Sequence, residues 1–350
     1  MLQPTLIVVK DYQDKKNHTM LDDGESSIGM VYKSQELDTP LDFVDKLSVS
    51  DPIYKVSSSS NLEESTANDL NKRAVPFKKF DVVSDCSDHF YADREVKSPS
   101  KDLMRQILHE WKILDENLPE TIFVRVYEER MDLLSAVIIG PAETPYHDGL
   151  FFFDIKFQND YPVSPPKVHF RSGGYYLNPN LYAGGKVCLS LLNTWHGKNS
   201  ERWNPKMSTI LQVLVSIQGL VLNGKPYFNE PNILHKAFMK TEEEKSLSYN
   251  RKAFIQSCKL MMVFMRHPPK HFEEFVTQHF RERARAILAA CKAYMRGATI
   301  GSSLEDCNVD VKLNNRSCSS KFHGELGMLS YQLIMTFAKK GIDYQGINAS

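Results

Sequence analysis

Cys188 lies in a stretch rich in glycine and asparagine, eight residues after Asn180, and this pairing is the part of the chain best suited to covalent chemistry. A thiol attacks as its thiolate, so it needs access and surroundings that favour the anion. An asparagine amide held near it can hydrogen-bond to the oxyanion formed when an amine attacks a thioester. Lys186 adds a positive charge two residues away, although an exposed charge acts weakly through water. No histidine stands at an obvious cysteine-protease spacing, but such partners meet in space rather than in sequence. A second reading stands beside the catalytic one: Cys188 as a small buried apolar residue, the usual fate of a free cysteine.

The elements that must position this pair are legible from periodicity. Leu103, Ile107, Trp111 and Leu114 share one face of an amphipathic helix with Ser100 as its N-cap, and Asn117-Leu-Pro119 ends it. Segments 122–127, 133–139, 150–157 and 167–170 are rich in branched and aromatic residues, with turn chemistry at Gly140-Pro141, His147-Asp-Gly149 and the prolines near 162–166. Short connections favour an antiparallel meander. The fold class is therefore α+β, with an N-terminal helix packed on a four-stranded antiparallel meander and helices after it. Residues 175–202 have little periodicity, and a segment of that kind inside a compact domain is often functional.

Helical patterning returns over 209–222. Thr241-Glu-Glu-Glu244 has capping-box spacing and opens another helix, running to about Met265 before His267-Pro-Pro269 breaks it. Phe272, Phe275 and Phe280 lie on a further helical stripe, read as core packing, which Gly297 stops. The expected organisation is a mostly disordered acidic, serine-rich tail over 1–97, a core over 98–265, a helical extension over 266–297, and a polar linker with a short helix over 298–350. Within the tail, the alternation of aromatics and acids from Phe77 to Tyr91 suggests one short ordered piece.

Lysine plus arginine balances aspartate plus glutamate at 43 each, so no nucleic acid or membrane partner is expected. The balance is uneven, because residues 1–97 hold 18 acidic and 12 basic side chains. The apolar run Leu6 to Val9 is too short for a signal-peptide core, and no stretch reaches membrane-span length. The six cysteines form no C-x-x-C pair and are expected to be reduced in a cytoplasmic or nuclear protein. Cys307, Cys318 and His323 lack the close ligand pair that a zinc site needs, so no metal is expected. His196 is read as a surface or packing residue rather than a general base.

Four segments in order resemble ubiquitin-conjugating enzymes. They are Gly149-Leu-Phe-Phe-Phe-Asp-Ile-Lys-Phe157 with Tyr161-Pro-Val-Ser-Pro-Pro-Lys167, then Asn178-Pro-Asn180, then Gly185-Lys-Val-Cys-Leu189, then Trp203-Asn-Pro205 followed by Gln212-Val-Leu-Val-Ser-Ile-Gln218. The resemblance covers about residues 100–265 and implies the fold of that family. It implies Cys188 as the thioester nucleophile and Asn180 as oxyanion or loop support. Asn229 and Glu230 would flank the cleft, gating it or orienting a lysine. Val163, Pro165 and Pro205 would lie on the surface that meets ligases and the activating enzyme. The implied partners are ubiquitin, its activating enzyme, a ubiquitin ligase and protein substrates. No cofactor is implied, because ATP is consumed upstream.

Three departures stand out. Asn178 replaces the family's histidine, Val163 replaces its aromatic ligase anchor, and 14 residues separate Cys188 from Trp203. The inserted Thr194-Trp-His-Gly197 stretch is similar to a subfamily of very large members, some of them also ligases, and Arg266 to Phe275 is most like its plant members. The alternative class is a catalytically weak variant of the same fold that only binds ubiquitin or a ligase.

Overall fold

The computed structural model describes residues 77–93, 99–195, 197–230, 233, 237–302 and 320–344, and the elements below all lie in one unit, Phe80–Ser350. In chain order they are β1 (Phe80–Val83), α1 (Lys101–Asn117), β2 (Ile122–Tyr127), β3 (Leu133–Ile139), β4 (Leu150–Lys156), β5 (Lys167–Phe170), α2 (Ile210–Ser216), α3 (Lys240–Arg266), α4 (Glu273–Met295) and α5 (Ser320–Lys339). This is the expected α+β arrangement.

The side chain of Ser100 accepts from the Leu103 N–H at 3.2 Å, satisfying one of the orphan donors of the first turn of α1. Leu103, Ile107 and Leu114 are buried along the predicted stripe. β2 to β5 form the antiparallel meander, with Ile122 opposite Ile138, Ser135 opposite Asp154 and Phe153 opposite Phe170.

The sheet has five strands rather than four. β1 pairs in parallel with β2, Phe80 opposite Val124, and α1 lies in the crossover that a parallel pair requires. Four residues in an acidic stretch carry almost no local period, so only the distant partner makes Phe80–Val83 a strand. Residues 85–91 also belong to the core fold. Tyr91 packs with Tyr127 and Leu133, and the Phe90 ring stacks on His169 with centroids 3.4 Å apart. Asp85 accepts from Lys270 Nζ at 2.5 Å. The boundary expected near residue 98 therefore moves to the start of β1, and the rest of the predicted tail lies outside the described residues.

α2 opens with a capping box in which Thr209 and Gln212 bond each other's backbone N–H groups, and it continues as a π-helical turn, Ile217–Val221. Glu110 of α1 receives the Ile210 N–H at 2.9 Å and the Tyr161 hydroxyl at 2.5 Å, which locks α1, α2 and the proline loop together. The capping-box reading of Thr241 is corrected. α3 begins at Lys240 with Met239 at the cap and no side-chain cap bond, so Thr241 is already inside the first turn.

The predicted aromatic stripe packs onto the sheet. Phe272 meets Phe152 at 5.3 Å and Phe275 meets Phe123 at 4.4 Å. After α4 the chain turns at Gly297, whose φ of +100° suits a residue without Cβ. The last helix is longer than the short one expected. α5 begins at Ser320, inside the predicted linker, and buries Phe322, Leu326, Leu329, Leu333 and Phe337 against α3 and α4. Among the described residues no helix is long and apolar enough to cross a membrane.

Candidate active site

Residues 177–189 fold into a tight loop after β5 by small backbone exchanges. Leu177 N–H bonds Leu181 O at 3.1 Å, and Phe170 N–H bonds Gly185 O at 2.8 Å. Gly185 has a φ of +83°, and a Cβ there would sit 2.0 Å from the His169 ring, so this turn has space for glycine alone. Three residues later comes Cys188.

Both asparagines of the Asn-Pro-Asn segment are buried and occupied. Asn178 donates to the Tyr146 hydroxyl at 3.1 Å and to Val221 O at 3.0 Å, and its carbonyl oxygen accepts from the Asn180 N–H at 2.8 Å. It therefore anchors the loop to the end of the π-helical turn, and the residue that departs from the family pattern does purely structural work here. Asn180 Nδ2 donates to Cys188 O at 2.8 Å, while the Cys188 N–H donates back to Asn180 O at 2.9 Å. The amide thus braces the backbone of Cys188 and does not point at its thiol in this state. Asn180 Oδ1 is buried without a partner among the described residues.

Thr194, in the inserted stretch, clamps the other side. Its hydroxyl donates to Val187 O at 2.8 Å and accepts from the Leu189 N–H at 3.0 Å. Cys188 is thereby held between two backbone clamps, one from each end of the loop.

The catalytic reading asks for an accessible thiol in surroundings that favour the thiolate, whereas the structure buries it as the second reading has it. Cys188 is 1% exposed. Burial raises its pKa above the ordinary thiol value and the Glu230 charge adds to the rise, whereas Lys186 and a hydrogen bond with the Tyr182 side chain oppose it. The physical consequence is a trade. A thiol of high pKa attacks slowly at neutral pH, and it is also a poor leaving group, so an acyl group placed on it resists casual loss.

A prediction follows with a definite sign. Alkylation of Cys188 by iodoacetamide, read by peptide mass, should keep rising with pH beyond the ordinary thiol range. Glu230→Gln should move that profile to lower pH and Lys186→Ala to higher pH. A plateau already reached at neutral pH would show that burial does not govern the thiol.

The structure separates the two cleft-flanking candidates. Asn229 is committed to its neighbours, accepting from the Asn223 side-chain amide at 2.6 Å and donating to Val221 O at 3.3 Å. Beside burial, which is the larger cause, the Glu230 charge adds to the raised pKa of Cys188, Tyr176, Tyr182 and Tyr249. Val163 is 70% exposed, Pro165 O accepts from Gln158 at 2.7 Å, and Pro205 is exposed. The loops carrying these residues are joined because Trp203 Nε1 donates to Pro162 O at 2.7 Å.

Sequence reasoning missed Tyr146, Tyr176, Tyr182, Thr194 and Tyr249. Tyrosines in a glycine-rich loop were the available signal for two of them, whereas Tyr249 comes from α3 and is brought in only by folding. His196, Cys307 and Cys318 lie outside the described residues, and His323 is exposed on α5. Among the described residues no cluster of His, Cys, Asp or Glu is arranged to hold a metal ion.

The family described as "Ubiquitin-conjugating enzyme" matches residues 106–257, which include Asn180, Cys188 and Glu230. A protein of Arabidopsis thaliana named "Putative ubiquitin-conjugating enzyme E2 38" is 50% identical over 268 residues, covering 76% of this chain and 82% of that protein. A second from the same plant, "Probable ubiquitin-conjugating enzyme E2 26", is 46% identical over 306 residues, covering 87% of this chain and 56% of its own length. The human "Dual E2 ubiquitin-conjugating enzyme/E3 ubiquitin-protein ligase BIRC6" is 34% identical over 304 residues, covering 81% of this chain and 6% of that protein. The chain belongs to the ubiquitin-conjugating enzyme family. Against the second and third of these relatives it spans little more than half, and a small fraction, of their length.

Proposed function

We propose that the chain accepts ubiquitin from the activating enzyme as a thioester on Cys188 and passes it to a lysine of a protein substrate. The observation that carries this reading is the doubly clamped Cys188 loop, in which Asn180 and Thr194 brace the backbone on either side of the thiol.

The thiolate of Cys188 attacks the thioester on the activating enzyme, and that enzyme's thiolate leaves. A substrate lysine, having lost a proton, then attacks the same carbonyl. Its nitrogen–carbon bond forms, the carbon–sulfur bond breaks, and Cys188 departs as thiolate. Reaching the thiol requires its surroundings to give way, since Cys188 is buried in the resting state. Glu230 supplies a carboxylate that orients the incoming ammonium. The amide of Asn180 keeps the loop in shape, and a rotation away from Cys188 O would free it to donate to the oxyanion.

Under this reading the chain needs no cofactor, with ATP used upstream, and it works in the cytoplasm or nucleus, where thiols stay reduced. Val163, Pro165 and Pro205 form the face for the activating enzyme and a ligase. Val163 lacks an aromatic anchor, so the ligase partners differ from those that need one.

The test is a mixture of the protein, activating enzyme, ubiquitin and ATP, run on reducing and non-reducing gels. A ubiquitin-sized adduct that disappears with reductant is expected. Its absence from protein shown to be folded would favour the binding-module alternative or a different modifier. With Asn180→Ser, charging should persist while discharge to lysine slows by roughly tenfold to a hundredfold, somewhat less than loss of a dedicated oxyanion donor. Normal discharge would remove Asn180 from the mechanism.

A further inference from the structure

In the segment ahead of α1, His89 and Tyr91 are buried while Phe90 between them stays 47% exposed. A ring left half in water gains little from burial, so core formation is a weak reason for its placement. Its backbone is nevertheless pinned to the sheet. The Phe90 N–H donates to Asp154 Oδ2 at 3.1 Å, and His89 Nε2 lies 3.1 Å from Leu134 O. Tyr91 meets the Phe90 ring edge-on at 4.9 Å. Held in this way, the Phe90 ring lies flat on that of His169, with centroids 3.4 Å apart and planes inclined by 3°.

His169 passes the contact on to the Cys188 loop. Its backbone bridges to Lys186, and the next residue, Phe170, donates its N–H to Gly185 O at 2.8 Å. Its ring lies so close to Gly185 that a Cβ there would stand 2.0 Å from Cε1 and 2.4 Å from Nδ1. Gly185 has the backbone freedom its φ of +83° requires, but it offers no side chain to brace the turn. The bonds from Asn180 and Thr194 hold residues 187–189 and leave the turn at 184–186 to other supports. The imidazole is one such support, and Phe90 steadies the imidazole. Cys188 follows three residues after Gly185.

We propose that Phe90 is a positioning residue for the transfer step: through its stack on His169 it steadies the Gly185 turn and so the orientation of Cys188. The inference rests on the conjugating reading above and makes the segment ahead of α1 part of the working site. Displacing a reacting group by about 1 Å can cost on the order of a hundredfold in rate. A loosened turn therefore slows transfer while the fold stays intact.

The test uses the whole chain, charged beforehand with ubiquitin and then freed of ATP, and follows discharge over a range of free lysine concentrations. Phe90→Ala should lower the maximal discharge rate by about three- to tenfold, the range for loss of one aromatic pair. The lysine concentration for half-maximal discharge should stay within about twofold, because Phe90 acts on the loop and not on the incoming amine. Phe90→Tyr, which keeps the stacked ring, should restore the rate. His169→Ala should reproduce the loss, and the double variant should be no slower than either single one, since both remove the same prop. Leu333→Ala, in the buried face of α5, serves as a control for stability. It should lower the unfolding temperature without slowing discharge measured well below it. Wild-type discharge by Phe90→Ala, an equal loss in Leu333→Ala, or additive losses in the double variant would each overturn the positioning role while leaving the thioester intact. A wild-type chain that never charges would overturn the conjugating reading, and this inference with it.

Discussion

Cys188→Ser is expected to give a ubiquitin adduct that survives reducing agent, and Cys188→Ala to give none. The clamps on this residue bind its backbone and its neighbours' backbones, through Asn180 on one side and Thr194 on the other. Replacing sulfur by oxygen therefore removes the thiol chemistry and leaves the loop in place. A serine hydroxyl is a weaker nucleophile at neutral pH, so loading should be slow. The oxygen ester that forms is a poorer acyl donor to amines than a thioester, so it should accumulate and not turn over. Transfer to lysine should fall to background in both variants, while their thermal unfolding stays close to that of the parent. A reducible adduct on Cys188→Ala would place the thioester elsewhere, and Cys86, part-exposed beside β2, would be the first residue to examine.

Arg171→Met should cost about 3–5 kcal/mol of folding stability, the usual range for breaking a buried ion pair from one side. Arg171 donates to both oxygens of Asp154, at 2.8 and 2.9 Å, and to Asp88 at 2.8 Å. Asp154 is 1% exposed in the middle of β4, so without the guanidinium its carboxylate keeps only the Ser135 hydroxyl and the Phe90 N–H as close donors.

The loss should also depend on pH. His89 lies 3.8 Å from Asp154, and its pKa is lowered chiefly by burial, with the Arg171 charge lowering it further and Asp154 raising it. Removing Arg171 raises the His89 pKa and lets the imidazolium stand in as the cation. A raised histidine pKa adds stability at low pH, and that contribution is lost as pH rises through it. The deficit of Arg171→Met should therefore be largest above neutral pH and shrink toward the histidine range. Urea unfolding at two pH values reads this directly, and a deficit independent of pH would exclude His89 from compensating.

Much of this protein was legible before folding because it is encoded locally. The 3.6-residue stripe from Leu103 to Leu114, the apolar runs of β2 to β5 and the prolines between them each carry their own period or turn chemistry. The motif around Cys188 was legible for the same reason: its members lie within a dozen residues of one another. β1 was not visible as a strand, because four residues in an acidic stretch become one only when β2 supplies the hydrogen bonds. α5 was underestimated because its glycines and polar residues blur the period, and burial of Phe322 and Leu326 on α3 and α4 decides where it begins.

At the site, residue types pointed to a thiol and an amide, while their state depended on neighbours from distant elements. The residues alone left two states of Cys188 open, an accessible thiolate and a buried apolar thiol. The fold covers Cys188 and raises its pKa. Asn180 and Cys188 were paired by spacing alone, but only the backbone path turns the amide onto the Cys188 carbonyl. Chemical identity is a property of single residues and can be read along the chain. Solvation, charge and reach are set by what packs around each residue, and for Tyr249 that neighbourhood exists only once α3 packs against the turn Pro226–Asn229.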